Sequence, residues 1–284
     1  MQENVEQQIF TSRDGVKLVA DIGGRDNDTA IVLLHGGGQT RHSWTKAFNH
    51  LINSGHHVIN FDARGHGDSD WSSSAAYSLA DRANDLATIA AKLKTPFVLV
   101  GASLGGATSI QAIYEGLRPA ALVLVDIVPE PEFKGINRII SFMREHQNGF
   151  ASLEEAADAV AAYSTDRPCP RDPSGLQKNL RKRSDGRLYW HWDPLITKEK
   201  PSVHHEQIQR ATQALVDLDD MPVLLVRGLS SDVVSDASVA AFQARLPRLQ
   251  VIDVAGAGHM VAGDKNDVFN EAIQKFIAQV LENT

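Results

Sequence analysis

The chain has 284 residues, 43% hydrophobic and 22% charged, enough to fill one sizeable α/β core, which excludes a disordered chain and a short disulfide scaffold. Its 28 Lys and Arg against 35 Asp and Glu give a formal net charge of −7, so its field repels nucleic acid and anionic membrane, and neither is expected as a partner. The only cysteine, Cys169, sits between Pro168 and Pro170 with no second thiol for a disulfide or a thiolate metal site, which fits a reducing, cytoplasmic setting.

Residues 1–8 are polar and acidic, with no basic n-region or apolar h-region, so no export segment is read; no apolar run approaches the ~20 residues of a membrane span. Residues 8–11 and 17–22 flank Arg13-Asp14-Gly15, an Asp-Gly turn that predicts an antiparallel hairpin. The runs 31–34, 58–61, 97–100, 122–125, 223–226 and 249–254 are apolar on both faces, as buried parallel strands are. Helical patterns lie between them at 43–53, 78–93, 104–116, 236–245 and 265–281; the last puts Val268, Phe269, Ala272, Ile273, Phe276, Ile277 and Val280 on one face. This alternation predicts βαβ units around a mostly parallel sheet flanked by helices.

The rhythm breaks between 128 and 205, where no strand signal is found and Pro129, Pro131, Pro168, Pro170, Pro173, Pro194 and Pro201 punctuate helical pieces. Because the strand pattern resumes after Pro222, the segment reads as a helical cap inserted after the sixth strand, with residues 1–127 and 206–284 as the core domain and 128–205 as the cap. Its Lys178, Arg181, Lys182, Arg183 and Arg187 read as a solvated basic face.

Several strand-exit segments carry chemistry. Gly101-Ala102-Ser103-Leu104-Gly105 leaves an apolar strand and enters a helical pattern. A serine on so sharp a turn needs small residues two positions either side, and the turn lifts Ser103 above the carboxyl edge of the sheet, with the Leu104 amide at a helix N-terminus. His35-Gly36-Gly37-Gly38-Gln39 follows another strand, and its glycines free the backbone so that the Gly37 N–H completes an anion hole with Leu104. His35 is read as an orienting residue of that loop. A serine hydroxyl near neutral pH needs a histidine base held by a carboxylate. His259, in Ala257-Gly258-His259 beyond the last strand, is the expected base. Asp232, on the exit loop of strand 223–226, is the expected acid; Asp126, which closes strand 122–125, is its rival. Asp62, His66 and Asp68, and His204, His205 and Glu206, are read as structural, and no metal is expected.

These residues, with Asp62-Ala63-Arg64-Gly65-His66-Gly67-Asp68-Ser69, resemble an α/β-hydrolase-fold serine hydrolase of the capped esterase, lipase-like and carbon–carbon hydrolase type over nearly the whole chain. The resemblance implies Ser103 as nucleophile, His259 as base, Asp232 as acid, the Gly37 and Leu104 amides as oxyanion hole, a structural role for residues 62–69, and no cofactor. Relatives that open epoxides or remove halogens attack with an aspartate where this chain has Ser103, so those reactions are not expected.

The expected reaction is cleavage of a carboxylic ester or lactone of a small-to-medium apolar molecule through an acyl-enzyme. Phe133, Phe142, Met143, Tyr163, Trp190 and Trp192 of the cap are the candidate substrate contacts. Two alternatives stand beside it. A carbon–carbon hydrolase acting on a vinylogous diketone would present Arg138, Arg144, Arg181 or Arg187 to a substrate carboxylate; a hydrolase-like ligand receptor would turn over little. The expected partner is a small-molecule substrate, and a homodimer is left open.

Overall fold

Ile31 and Leu33 point to one face of the central sheet and Val32 and Leu34 to the other, and all four are buried, because strand side chains alternate and both faces of this sheet are covered. The computed structural model describes residues 5–25, 29–163, 173–198, 201–259, 261 and 266–282; Cys169 and its flanking prolines lie outside the described residues. The strands run β1 (Glu6–Thr11), β2 (Lys17–Gly23), β3 (Ala30–Leu34), β4 (His57–Phe61), β5 (Phe97–Ala102) and β6 (Ala121–Val125), then a short cap pair, β7 (Leu180–Lys182) and β8 (Leu188–Trp190), then β9 (Val223–Gly228) and β10 (Gln250–Val254). Eight of them form one sheet in the order β1-β2-β4-β3-β5-β6-β9-β10. The pairs β1/β2 and β2/β4 are antiparallel and all later pairs are parallel, as the Asp-Gly hairpin and the apolar runs predict.

Helices cover both faces. α1 (Thr45–Asn53) and α8 (Asn266–Glu282) pack on one side, with Phe48, Leu51, Phe269, Ile273 and Ile277 against the sheet. On the other lie α2 (Leu79–Ala90), α3 (Leu104–Tyr114), α6 (Pro201–Asp217) and α7 (Asp236–Arg245), contributing Leu86, Ile110, Ile113, Leu215 and Phe242. The Ser78 hydroxyl accepts from the Asp81 N–H while the Asp81 carboxylate accepts from the Ser78 N–H, a reciprocal cap that starts α2. Among the described residues no helix is long and apolar enough to cross a membrane.

The cap carries α4 (Phe133–Arg144) and α5 (Leu153–Tyr163) around a small core of Met143, Phe150, Ala156, Leu180, Trp190 and Trp192. It is not wholly helical: β7 and β8 pair antiparallel through a turn in which the Arg183 N–H donates to the Arg187 carbonyl at 3.0 Å. Strands of three residues are too short to show a period of two, which is why the pattern missed them. The boundary read at 205/206 falls inside α6, which runs unbroken from Pro201 to Asp217.

Register sets the site. Ala102 pairs with Val125, Val125 with Val226, and Gly228 with Val254, so the chain leaves β5 and β6 at one level of one rim. The Ser103 N–H donates to the Val125 carbonyl at 3.0 Å and the Asp126 N–H to the Val226 carbonyl at 2.9 Å.

Candidate active site

Ser103 holds φ 46° and ψ −112° at the N-cap of α3, a conformation that non-glycine residues rarely adopt and that persists only where the surroundings enforce it. Here the enforcement is visible. A Cβ on Gly101 would lie 2.6 Å from the Gly105 backbone, and one on Gly105 would lie 2.4 Å from the Leu34 carbonyl oxygen, so both positions exclude any side chain. Leu104 is the first residue of α3, and a first-turn amide has no intrahelical acceptor.

The glycine loop lies over this turn: a Cβ on Gly36 would sit 3.5 Å from the Ser103 Cβ, and one on Gly37 3.8 Å from the Leu104 side chain. Polar contacts fix it on every side. The Gly36 N–H donates to Gln39 Oε1 at 3.0 Å, and His35 Nδ1 donates to the Gly36 carbonyl at 2.8 Å. The Gly38 N–H donates to His66 Nε2 at 3.1 Å. Among the described residues the Gly37 N–H has no protein acceptor.

Three buried histidines pack side by side behind the loop, edge-to-face for His35 and His66 with centroids 5.1 Å apart and tilted for His66 and His191 at 5.9 Å. Each ring accepts from one backbone N–H, that of Ala63, Gly38 or Gly67 respectively; an accepting nitrogen needs a lone pair, so all three are neutral. Burial, as the largest cause, lowers the pKa of each, to about 3 for His191. The unfolded chain binds these protons near pH 6.5 and the folded chain does not, so their contribution is complete above that value and drains away as pH falls toward the folded pKa. His191 alone is expected to remove about 2–3 kcal/mol between pH 6.5 and roughly pH 4.5. Urea unfolding midpoints measured across that window should fall; a flat profile would contradict three buried neutral rings.

His259 meets Asp126, not Asp232. His259 Nδ1 lies 2.7 Å from Asp126 Oδ2, and the fully buried carboxylate also accepts from the Gly228 N–H at 3.0 Å and from the Ser231 hydroxyl. Asp232 instead faces outward, 3.1 Å from Arg138 Nη2 of α4. The cause lies one residue earlier: Ser231 Oγ reaches inward to Asp126 while accepting from the Val233 and Val234 N–H groups at 3.1 and 3.2 Å. That turn carries the next side chain to the opposite side. The expectation that Asp232 would meet His259 is therefore corrected: the carboxylate beside the imidazole is that of Asp126, the rival position. Ser231 is a residue that sequence reasoning missed, because a serine in a loop gives no periodic or motif signal.

Of the six cap candidates, Met143 touches the glycine loop, its Sδ 3.9 Å from where a Gly37 Cβ would stand. Phe142 stacks on Tyr163 with centroids 4.5 Å apart. Trp190 and Trp192 stack on each other at 4.9 Å inside the cap core, and Phe133 packs its edge on His205 of α6. Asp62 and Asp68 both bind Arg41, and His66 is taken by Gly38. Among the described residues no cluster of three His, Cys, Asp or Glu is arranged to hold a metal ion.

A parallel sheet with a strained serine turn, a glycine loop above it and a His–Asp pair on the same rim defines a class that comparison with known proteins makes explicit. Residues 31–272 match the alpha/beta hydrolase family, and the chain belongs to it. The chain is similar to the esterase Rv0045c of Mycobacterium tuberculosis, 27% identical over 86% of this chain and 81% of that one. It is also similar to the sn-1-specific diacylglycerol lipase of Mus musculus, 28% identical over 88% of this chain and 81% of that one. An alpha/beta hydrolase of Novosphingobium aromaticivorans shares the fold, with a TM-score of 0.79, 24% identity and 99% of both chains covered.

Proposed function

We propose that the chain is a serine hydrolase that cleaves a carboxylic ester or lactone of a small-to-medium apolar molecule through an acyl-enzyme. The carrying observation is the 2.7 Å contact between His259 Nδ1 and the buried Asp126 carboxylate, on the rim that also bears the strained Ser103. In this reading His259 takes the Ser103 proton through Nε2 as the hydroxyl oxygen bonds to the substrate carbonyl carbon. The Gly37 and Leu104 amides hold the resulting oxyanion, and Asp126 stabilises the imidazolium. Collapse of the tetrahedral adduct breaks the carbon–oxygen bond to the alcohol, which leaves with the proton from His259. Water then repeats the sequence on the acyl-enzyme and regenerates Ser103. The esterase and lipase among the relatives support the same reaction class.

The carbon–carbon alternative calls for a free cation over the site. Arg138 is paired with Asp232, Arg144 donates to the Thr197 carbonyl, Arg181 is paired with Asp68 at 2.7 Å, and Arg187 donates to the Asn148 and Gly149 carbonyls at 2.8 and 2.7 Å. The esterase and lipase relatives support the ester reading over this one. Stopped-flow mixing with p-nitrophenyl acetate and butyrate tests it: a burst followed by sustained release is expected. Fluorophosphonate labelling without sustained turnover would point to a receptor, and preferential cleavage of a vinylogous diketone would point to the carbon–carbon reaction.

A further inference from the structure

One cap residue reaches the anion-binding loop directly. His191 follows β8, yet its ring leaves the cap core: Nδ1 accepts from the Gly67 N–H at 2.8 Å, and Nε2 faces the Gly38 carbonyl at 3.4 Å. His66 holds the other side of the same peptide unit's residue, accepting from the Gly38 N–H at 3.1 Å. Gly38 is thus gripped through both its donor and its acceptor, one residue after the Gly37 amide. Gly38 also has φ +71°, a conformation that glycine adopts without strain.

The segment that delivers His191 is itself fixed to the core. The Asp193 N–H donates to the Gly65 carbonyl at 2.9 Å, and the Tyr77 hydroxyl donates to Asp193 Oδ2 at 2.6 Å. Tyr77 in turn accepts from the Ser72 N–H at 2.7 Å. The return of the cap therefore grips the turn formed by residues 62–69, and through His191 it grips the glycine loop.

We propose that His191 is a positioning residue which, from the cap, sets the direction of the Gly37 amide by holding Gly38 against His66. The inference rests on the hydrolase reading for its catalytic consequence, but its structural content does not. The oxyanion hole is then built from both parts of the chain, and the cap return is a fixed strut of the catalytic apparatus. A displacement of about 1 Å at such a donor is enough to cost about 10²-fold in rate.

The test uses the full-length protein and three variants with p-nitrophenyl acetate. His191→Ala is expected to lower kcat by about 10- to 100-fold with KM nearly unchanged, because the lost contact bears on the transition state. His191→Gln, whose amide N–H reaches toward the Gly38 carbonyl, should recover much of the loss. His191→Asn, which restores only an acceptor for the Gly67 N–H, should stay with alanine. A rise in KM at constant kcat, or recovery by Asn but not by Gln, would overturn the proposal. The ¹H–¹⁵N resonances of Gly37 and Gly38, read without substrate, provide a second measure: they should move in His191→Ala and return in His191→Gln. Unmoved resonances overturn the proposal even in a protein without turnover, whereas moved resonances in such a protein support the strut and remove only the hydrolase reading.

Discussion

Asp126→Asn is expected to lower kcat by about 10⁴-fold at unchanged fold, roughly 5–6 kcal/mol of barrier. Three donors converge on this carboxylate: the Gly228 N–H on one oxygen, and the Ser231 hydroxyl and His259 Nδ1 on the other. An amide cannot accept all three. With its NH₂ toward His259 it forces the imidazole proton onto Nε2, which in the proposed mechanism then carries a hydrogen where a lone pair is needed. With its NH₂ toward Gly228 two donors oppose each other in a buried site, and stability suffers instead. Asp232→Asn removes only a half-exposed pair with Arg138, a kind of contact worth about 0–1 kcal/mol, and should leave kcat within about threefold. Steady-state kinetics on both variants, with melting temperatures as the control for fold, decides between them; a reversed order of damage would restore Asp232 as the acid.

Ser103→Ala is expected to have the larger effect, about 10⁶-fold in kcat, because the nucleophile and its base act as one unit and loss of the nucleophile removes the covalent route. The variant is also a clean one. Alanine keeps the Cβ, so the strained backbone at φ 46° and the close approach of Gly101 to Gly105 are untouched; only the hydroxyl oxygen goes. The melting temperature should therefore hold while burst and steady-state release from p-nitrophenyl acetate both vanish. Persistent turnover in Ser103→Ala would place the chemistry elsewhere.

Much of this architecture was legible in the chain because it obeys short-range rules. The central strands read as continuous apolar runs since both faces are buried, and Gly101, Ser103 and Gly105 read as a strand-to-helix turn since no side chain fits beside the serine. His259 was legible from its place on a glycine loop after the last strand. The carboxylate partner of His259 was not: Asp126 follows β6 directly and Asp232 lies on the exit loop of β9, and their difference comes from a single hydroxyl. Ser231 Oγ binds Asp126 and tethers the amides of Val233 and Val234, which turns Asp232 toward Arg138. No sequence spacing encodes the direction of that turn. His191 was hidden for a related reason, since its partners Gly38 and Gly67 lie 153 and 124 residues away. The cap hairpin escaped notice because three residues per strand cannot establish a period.

Peptide mass spectrometry after treatment with a fluorophosphonate addresses the whole constellation at once. A single phosphonylated site is expected on the oxygen of Ser103 in the wild-type protein, formed slowly in Asp126→Asn and at the ordinary rate in Asp232→Asn. An adduct on another residue, or no adduct in a folded protein that hydrolyses esters, would contradict that assignment.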